Sequence, residues 1–270
     1  MNPAVLRGRE QTVVGAIAAI AEGHCAIALS RGGAPKRYRH RDPNEDVSGF
    51  VNGEGGSLVA VADGHGGCDA AEIAVDRLVT RYAPLWTAAT APGIDAVWES
   101  TARAAFADVN QMILQRAARD GANAARTTLA FAIVRRSDDL LLFASVGDSH
   151  VFRVDGEAAV DLASECDRQT AFLGSPQETR DTLRGKCVIG STLLTGARAV
   201  VAVTDGISER GIGVAAPAAA VSEAVDRGAT CNGDVRPLTA ARATVETALE
   251  AHRRHRAGDN VACAVAWLEP

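Results

Sequence analysis

Apolar positions along this chain fall into two kinds of run. Short, nearly unbroken apolar stretches recur at His24–Leu29, Val47–Val51, Ser57–Ala62, Thr128–Val134, Leu140–Val146, Val151–Val154, Ala199–Thr204 and Val261–Leu268. They are β-rich and many have Asp, Gly or Ser at their ends, which predicts strands. Elsewhere the apolar residues are spaced as on a helix. Val75, Leu78, Val79 and Tyr82 fall at i, i+3, i+4 and i+7, predicting a helix over Asp69–Tyr82 with Asp69 placed to cap its start. Trp98, Ala102, Ala105, Val109, Met112 and Ile113 predict a longer helix over Ile94–Arg119. Leu238, Ala241, Val245, Ala248 and Leu249 predict a third, over Leu238–His252. Strands and helices do not alternate tightly, which argues against a doubly wound parallel sheet and for an α+β chain with antiparallel sheets and flanking helices. Ala163–Ser191 lacks either period and reads as a long surface segment.

Composition narrows this picture. A chain of 270 residues, 47% hydrophobic, can bury a sizeable core as one large domain or two small ones. A net charge of −5 does not suit a nucleic-acid partner, which selects clustered basic surface. The one basic cluster, Lys36-Arg37-Tyr38-Arg39-His40-Arg41, reads as a solvated loop or as an element that recruits acidic phosphoproteins. The six cysteines contain no Cys-x-x-Cys pair, so a thiolate zinc site is not expected; reduced thiols and a cytoplasmic setting are. Cys68, beside the glycine pair Gly66-Gly67, is a conceivable reactive thiol. The early apolar run Val13–Ala21 is too short to span a bilayer, so no membrane association is expected. Residues 1–23 read as an N-terminal extension or short helix ahead of a domain over residues 24–270.

Four carboxylates stand at the mouths of apolar strands. Asp63 ends Leu58–Ala62, Asp148 follows Leu140–Gly147, Asp205 ends Val200–Thr204, and Asp259 precedes Val261–Val265. In antiparallel neighbours the end of one strand lies beside the start of the next, so these four can share one sheet edge. Carboxylates gathered there repel one another unless a cation offsets them. A divalent ion with oxygen ligands, Mg²⁺ or Mn²⁺, is the natural candidate. Gly64, lacking Cβ, lets its carbonyl approach such an ion, and Gly66-Gly67 permit a sharp turn into the next helix. Each aspartate alone is an ordinary turn residue; only their joint order points to a site.

That order carries a resemblance. Arg41-Asp42-Pro43-Asn44-Glu45-Asp46, Asp63-Gly64-His65-Gly66-Gly67, Thr127-Thr128-Leu129, Gly147-Asp148-Ser149, Thr204-Asp205-Gly206-Ile207-Ser208-Glu209 and Gly258-Asp259-Asn260 together resemble the metal-dependent Ser/Thr protein phosphatases, the protein phosphatase 2C family. The resemblance implies a four-layer α-β-β-α sandwich, two stacked antiparallel sheets flanked by helices. It implies a phosphatase that hydrolyses phosphoserine and phosphothreonine with a metal-activated water and no protein nucleophile. On these positions Asp63 would bridge two Mg²⁺ or Mn²⁺ ions, with the Gly64 carbonyl on one and Asp205 and Asp259 on the other. Glu45 and Asp46 would act mainly through bound water. Asp148, Asp205 and Glu209 match a third, weaker site. Arg41 matches the arginine that grips the substrate phosphate, with Arg37 and Arg39 as competitors, and His65 the general acid. Phosphorylated proteins would be the substrates, a Ser/Thr kinase the opposing partner in signalling, and a monomer the expected form. One departure stands out: His150 replaces the arginine usual after Gly147-Asp148-Ser149. A non-catalytic regulatory module on the same scaffold and a hydrolase of small phosphate esters are the alternatives.

Overall fold

A strand covered on both faces needs apolar residues at every position, and the unbroken runs are those strands. The computed structural model describes residues 3–90, 94–120, 125–156, 158–163, 171–179, 181–233 and 235–268. In chain order the elements are β1 (Pro3–Arg7), β2 (Ala18–Glu22), β3 (Cys25–Ser30), β4 (Val47–Asn52), β5 (Ser57–Ala62), β6 (Gly64–His65), α1 (Asp69–Arg77), α2 (Ala83–Trp86), α3 (Ile94–Asp120), β7 (Arg126–Thr127), β8 (Leu129–Arg135), β9 (Leu140–Val146), β10 (His150–Asp155), β11 (Ala158–Asp161), β12 (Cys187–Leu193), β13 (Ala197–Val203), α4 (Pro217–Ala229), α5 (Val235–His255) and β14 (Val261–Trp267).

Two six-stranded antiparallel sheets result. One runs β1-β4-β5-β8-β9-β12 and the other β11-β10-β13-β14-β3-β2. Their inner faces meet through Phe50, Val59, Val61 and Ala132 on one side and Ile27, Leu29, Ala202 and Ala264 on the other. The outer face of the first sheet packs under α1 and α3 through Val75, Leu78, Trp98, Phe106 and Phe131. That of the second packs under α4 and α5 through Val221, Val225, Val245 and Leu249. These are the four expected layers.

The segment before His24, expected as an extension or short helix, instead supplies two edge strands: β1 pairs with β4 and β2 with β3. Both are partly exposed, so neither carries the unbroken apolar run that marks a covered strand. The stretch Ala163–Ser191 likewise runs into β12, which pairs with β9 at the sheet edge. Helix α4 also escaped the sequence reading. Asp69 does not cap α1: it pairs with Arg9, and the Cys68 N–H donates to Asp42 Oδ2 at 3.1 Å. After Arg77 the helix passes through a π-helical turn, Leu78–Tyr82, into α2. Among the described residues the cysteines are all free, while Cys166 lies outside them; no helix there is long and apolar enough to cross a membrane.

Candidate metal centre

The topology brings the acidic positions together, along the facing edges of two sheets rather than one. β5 and β9 both run antiparallel to β8, so Asp63 and Asp148 leave the first sheet at the same edge. Asp46 enters it there too, because Val47 at the start of β4 pairs with Ala62 at the end of β5. In the second sheet Val203 pairs with Cys263, which sets Asp205 after β13 beside Asp259 before β14. Carboxylate oxygens of Asp63, Asp148 and Asp205 all lie within 4.8 Å of one another.

Hydrogen bonds lock the backbone that carries them. The Asp63 N–H donates to Thr128 Oγ1 at 3.0 Å, and its carbonyl accepts from Thr127 Oγ1 at 2.8 Å. Thr204 Oγ1 donates to Asp46 Oδ2 at 2.7 Å and accepts from the Ala262 N–H at 2.9 Å, tying three of the strand ends together. Glu45 is fixed from both sides: its N–H donates to Asn260 Oδ1 at 2.8 Å, and its Oε1 accepts the Arg41 and Asp42 N–H groups at 3.2 and 3.1 Å. Gly64 is required by space, since a Cβ there would lie 2.5 Å from the Glu45 carbonyl oxygen. Gly66 and Gly67 take φ of +80° and +126°, the left-handed turn that leads into α1.

The electrostatics of the cluster are strained. Burial, then Asp205 and Asp46, push Asp63 well above the usual carboxylate range. Burial, then Asp259 and Asp148, do the same to Asp205. Asp46 is pushed up to about 7 by burial, with Lys36 pulling the other way and Asp259 adding to the rise. Glu209 is raised by burial and by Asp259. Asp46 Oδ1 and Asp148 Oδ1 are buried with no hydrogen-bond partner among the described residues. Orphaned carboxylate oxygens and an all-oxygen set of side-chain donors are what a hard divalent cation takes. The residues fit one.

A cavity of about 260 Å³ opens at the cluster, lined by Glu45, Asp63, Gly64, His65, Asp205, Glu209 and Asp259 together with Lys36, Tyr38 and Arg39. His65 is half exposed, with Nδ1 3.6 Å from Asp63 Oδ2 and its ring 4.6 Å from that of Phe172. Partial desolvation lowers its pKa against the raising pull of Asp148. Arg41 is exposed outside this lining, its stem against Gly67. Lys36, Tyr38 and Phe172 were not singled out as site residues from the sequence; the only signal was an aromatic inside a basic run. His150 bridges two segments, Nδ1 2.7 Å from Asp161 Oδ2 and Nε2 2.6 Å from Ser208 Oγ, so it links β11 to the Asp205–Glu209 turn. Cys68 is no reactive thiol: burial and then Asp42 push it up to about 12.

Comparison with known proteins agrees with this architecture. The sequence pattern of the protein phosphatase 2C family matches residues 35–250. The serine/threonine phosphatase stp of Listeria welshimeri serovar 6b is 31% identical over 144 residues, 53% of this chain and 54% of that one. The chain thus matches roughly half the length of that relative. The crystal structure of a bacterial serine phosphatase superposes with a TM-score of 0.67 at 18% identity, over 92% of this chain and 98% of that one. That of serine/threonine phosphatase Stp1 from Staphylococcus aureus gives 0.61 at 16% identity, over 96% and 97%. At such identities the structural likeness establishes the fold.

Proposed function

The chain belongs to the protein phosphatase 2C family, and from that premise we propose that it is a metal-dependent phosphoprotein phosphatase acting on phosphoserine and phosphothreonine. One observation carries the reading. Strand ends from both sheets deliver a carboxylate cluster in which one buried oxygen each of Asp46 and Asp148, Oδ1, lacks a hydrogen-bond partner among the described residues, beside a cavity that Lys36 and Arg39 also line. The sequence lacks no aspartate of the family pattern, which argues against a non-catalytic module.

Asp63, the Gly64 carbonyl, Asp205 and Asp259 would hold the divalent ions, with Glu45 and Asp46 supporting them. Asp148, Asp205 and Glu209 would hold a further, weaker ion. Mg²⁺ or Mn²⁺ held there supplies Lewis acidity, a lowered pKa for water and neutralisation of phosphoryl charge. Arg41, from the rim, presents a planar fork suited to two phosphate oxygens. As a water oxygen bonds to phosphorus, the bond from phosphorus to the serine or threonine oxygen breaks. His65 gives its proton to that leaving oxygen. The products are the free hydroxyl side chain and inorganic phosphate. A Ser/Thr kinase is the opposing partner, and the working form is a monomer in the cytoplasm.

The test is release of phosphate from a phosphothreonine peptide in Mn²⁺, with and without excess chelator. Turnover that requires the metal is expected. Activity that survives full chelation would overturn the reading.

A further inference from the structure

The basic wall of the cavity is built from a run that the catalytic assignment leaves almost unused. Lys36 reaches inward: its side chain is 3% exposed, and Nζ lies 3.5 Å from Asp259 Oδ1. The Tyr38 ring sits 5.1 Å from that ammonium, and Tyr38 Oη donates a hydrogen bond to the same Asp259 oxygen. Burial and the neighbouring Asp259 hold the Tyr38 phenol far above its ordinary pKa, so it stays a donor. Arg39 lines the same cavity and pairs with no carboxylate among the described residues. Asp259, engaged in this way, is absent from the trio of carboxylates that converge within 4.8 Å of one another.

Resting on the phosphatase reading, the geometry points to Lys36 as a second phosphate-binding residue that exchanges partners: it pairs with Asp259 while that carboxylate lacks an ion and with the substrate phosphate once an ion takes Asp259. A divalent ion outcompetes a single ammonium for a carboxylate at the same distance, because attraction scales with charge. The freed ammonium belongs to a side chain only 3% exposed that lines the cavity, so an anionic partner reaches it through the cavity. The anion that enters is a phosphate monoester with a charge of about −1.5 to −2. Lys36 and Arg39 are the lysine and arginine that line the cavity it enters. A lysine suits the task as a compact charge on a flexible stem that can swing between two anions. Tyr38 bounds the swing by holding one side of the ammonium.

Calorimetric titration of inorganic phosphate into the Mn²⁺-saturated protein tests this, beside a separate Mn²⁺ titration of the metal-free protein. Lys36→Met should weaken phosphate binding at least about fivefold, as loss of a charge-assisted contact does, while Mn²⁺ binds as tightly as to the parent or more tightly. Lys36→Arg, which keeps the charge, should stay within about twofold of the parent for phosphate, and guards against a variant that merely disturbs the loop. Unchanged phosphate affinity in Lys36→Met would overturn the proposal. So would a fall in Mn²⁺ affinity, which would make Lys36 a support of the ion site instead. Binding is read rather than turnover, so an inactive parent would count against the phosphatase reading and leave the Lys36 comparison standing.

Discussion

Gly64 shows how little room the site leaves at the scale of one residue. Its Cα faces the Glu45 carbonyl oxygen, and a methyl group there would sit 2.5 Å from that oxygen and 3.1 Å from the Gly67 oxygen. Both are backbone atoms, so relief requires the Asp63–Gly67 turn to move away from Asp46 and Glu45. Gly64→Ala should therefore destabilise the protein by about 1–3 kcal/mol, the usual cost of overpacking. It should also weaken Mn²⁺ binding by about tenfold or more, since displaced support around ligands costs that much. A denaturant midpoint and a Mn²⁺ isotherm check the two effects, and an isotherm that matches the parent's would contradict the role given to the Gly64 carbonyl. The sequence made this residue legible only through the joint order of the motifs, because a glycine after a strand-terminal aspartate is by itself an ordinary turn. It did not make Lys36 legible. A lysine in a run of six polar and basic positions looks solvated, and only the path of the chain turns this one inward against Asp259.

At the scale of elements, legibility followed burial. β5, β8 and β14 have every residue buried, so their apolar runs were continuous and their positions were read within a residue or two. β1, β2, β11 and β12 lie at or near sheet edges with partly exposed faces, and their mixed patterns did not separate from loops. Capping shows the limit of local reasoning. Asp69 has the right residue type at the start of α1, yet the N–H of Cys68 is satisfied by Asp42, 26 positions earlier, in the turn that also carries Arg41. The loop that carries Arg41 and the helix after the glycine turn are thereby joined. His150 plays a similar part on the opposite side, where a shorter side chain than the family's arginine still spans Asp161 and Ser208.

At the scale of the whole molecule, the two sheets force like charges together, and pH should reveal it. Asp46 is held near 7, and Asp63 and Asp205 well above the ordinary aspartate value of 3.8. Such a group binds its proton more tightly in the folded than in the unfolded chain. Its contribution to stability is present in full below 3.8 and is lost as pH rises through about 7. An ion on the cluster removes that penalty by replacing the proton. Mn²⁺ should therefore raise the melting temperature more at about pH 8 than at about pH 5.5, by several degrees. Scanning calorimetry with chelator and with Mn²⁺ reads this directly, and an equal shift at both values would contradict it.

Convergence itself is the central claim: carboxylates from distant strands form one divalent-ion centre on which phosphate ester hydrolysis depends. The most direct measurement is steady-state turnover of a phosphothreonine peptide in saturating Mn²⁺ by the parent and by Asp63→Asn, a substitution that keeps the shape and removes the charge. A fall of at least about a thousandfold is expected, the order that loss of preorganised charge stabilisation costs. Turnover equal to the parent's would contradict it.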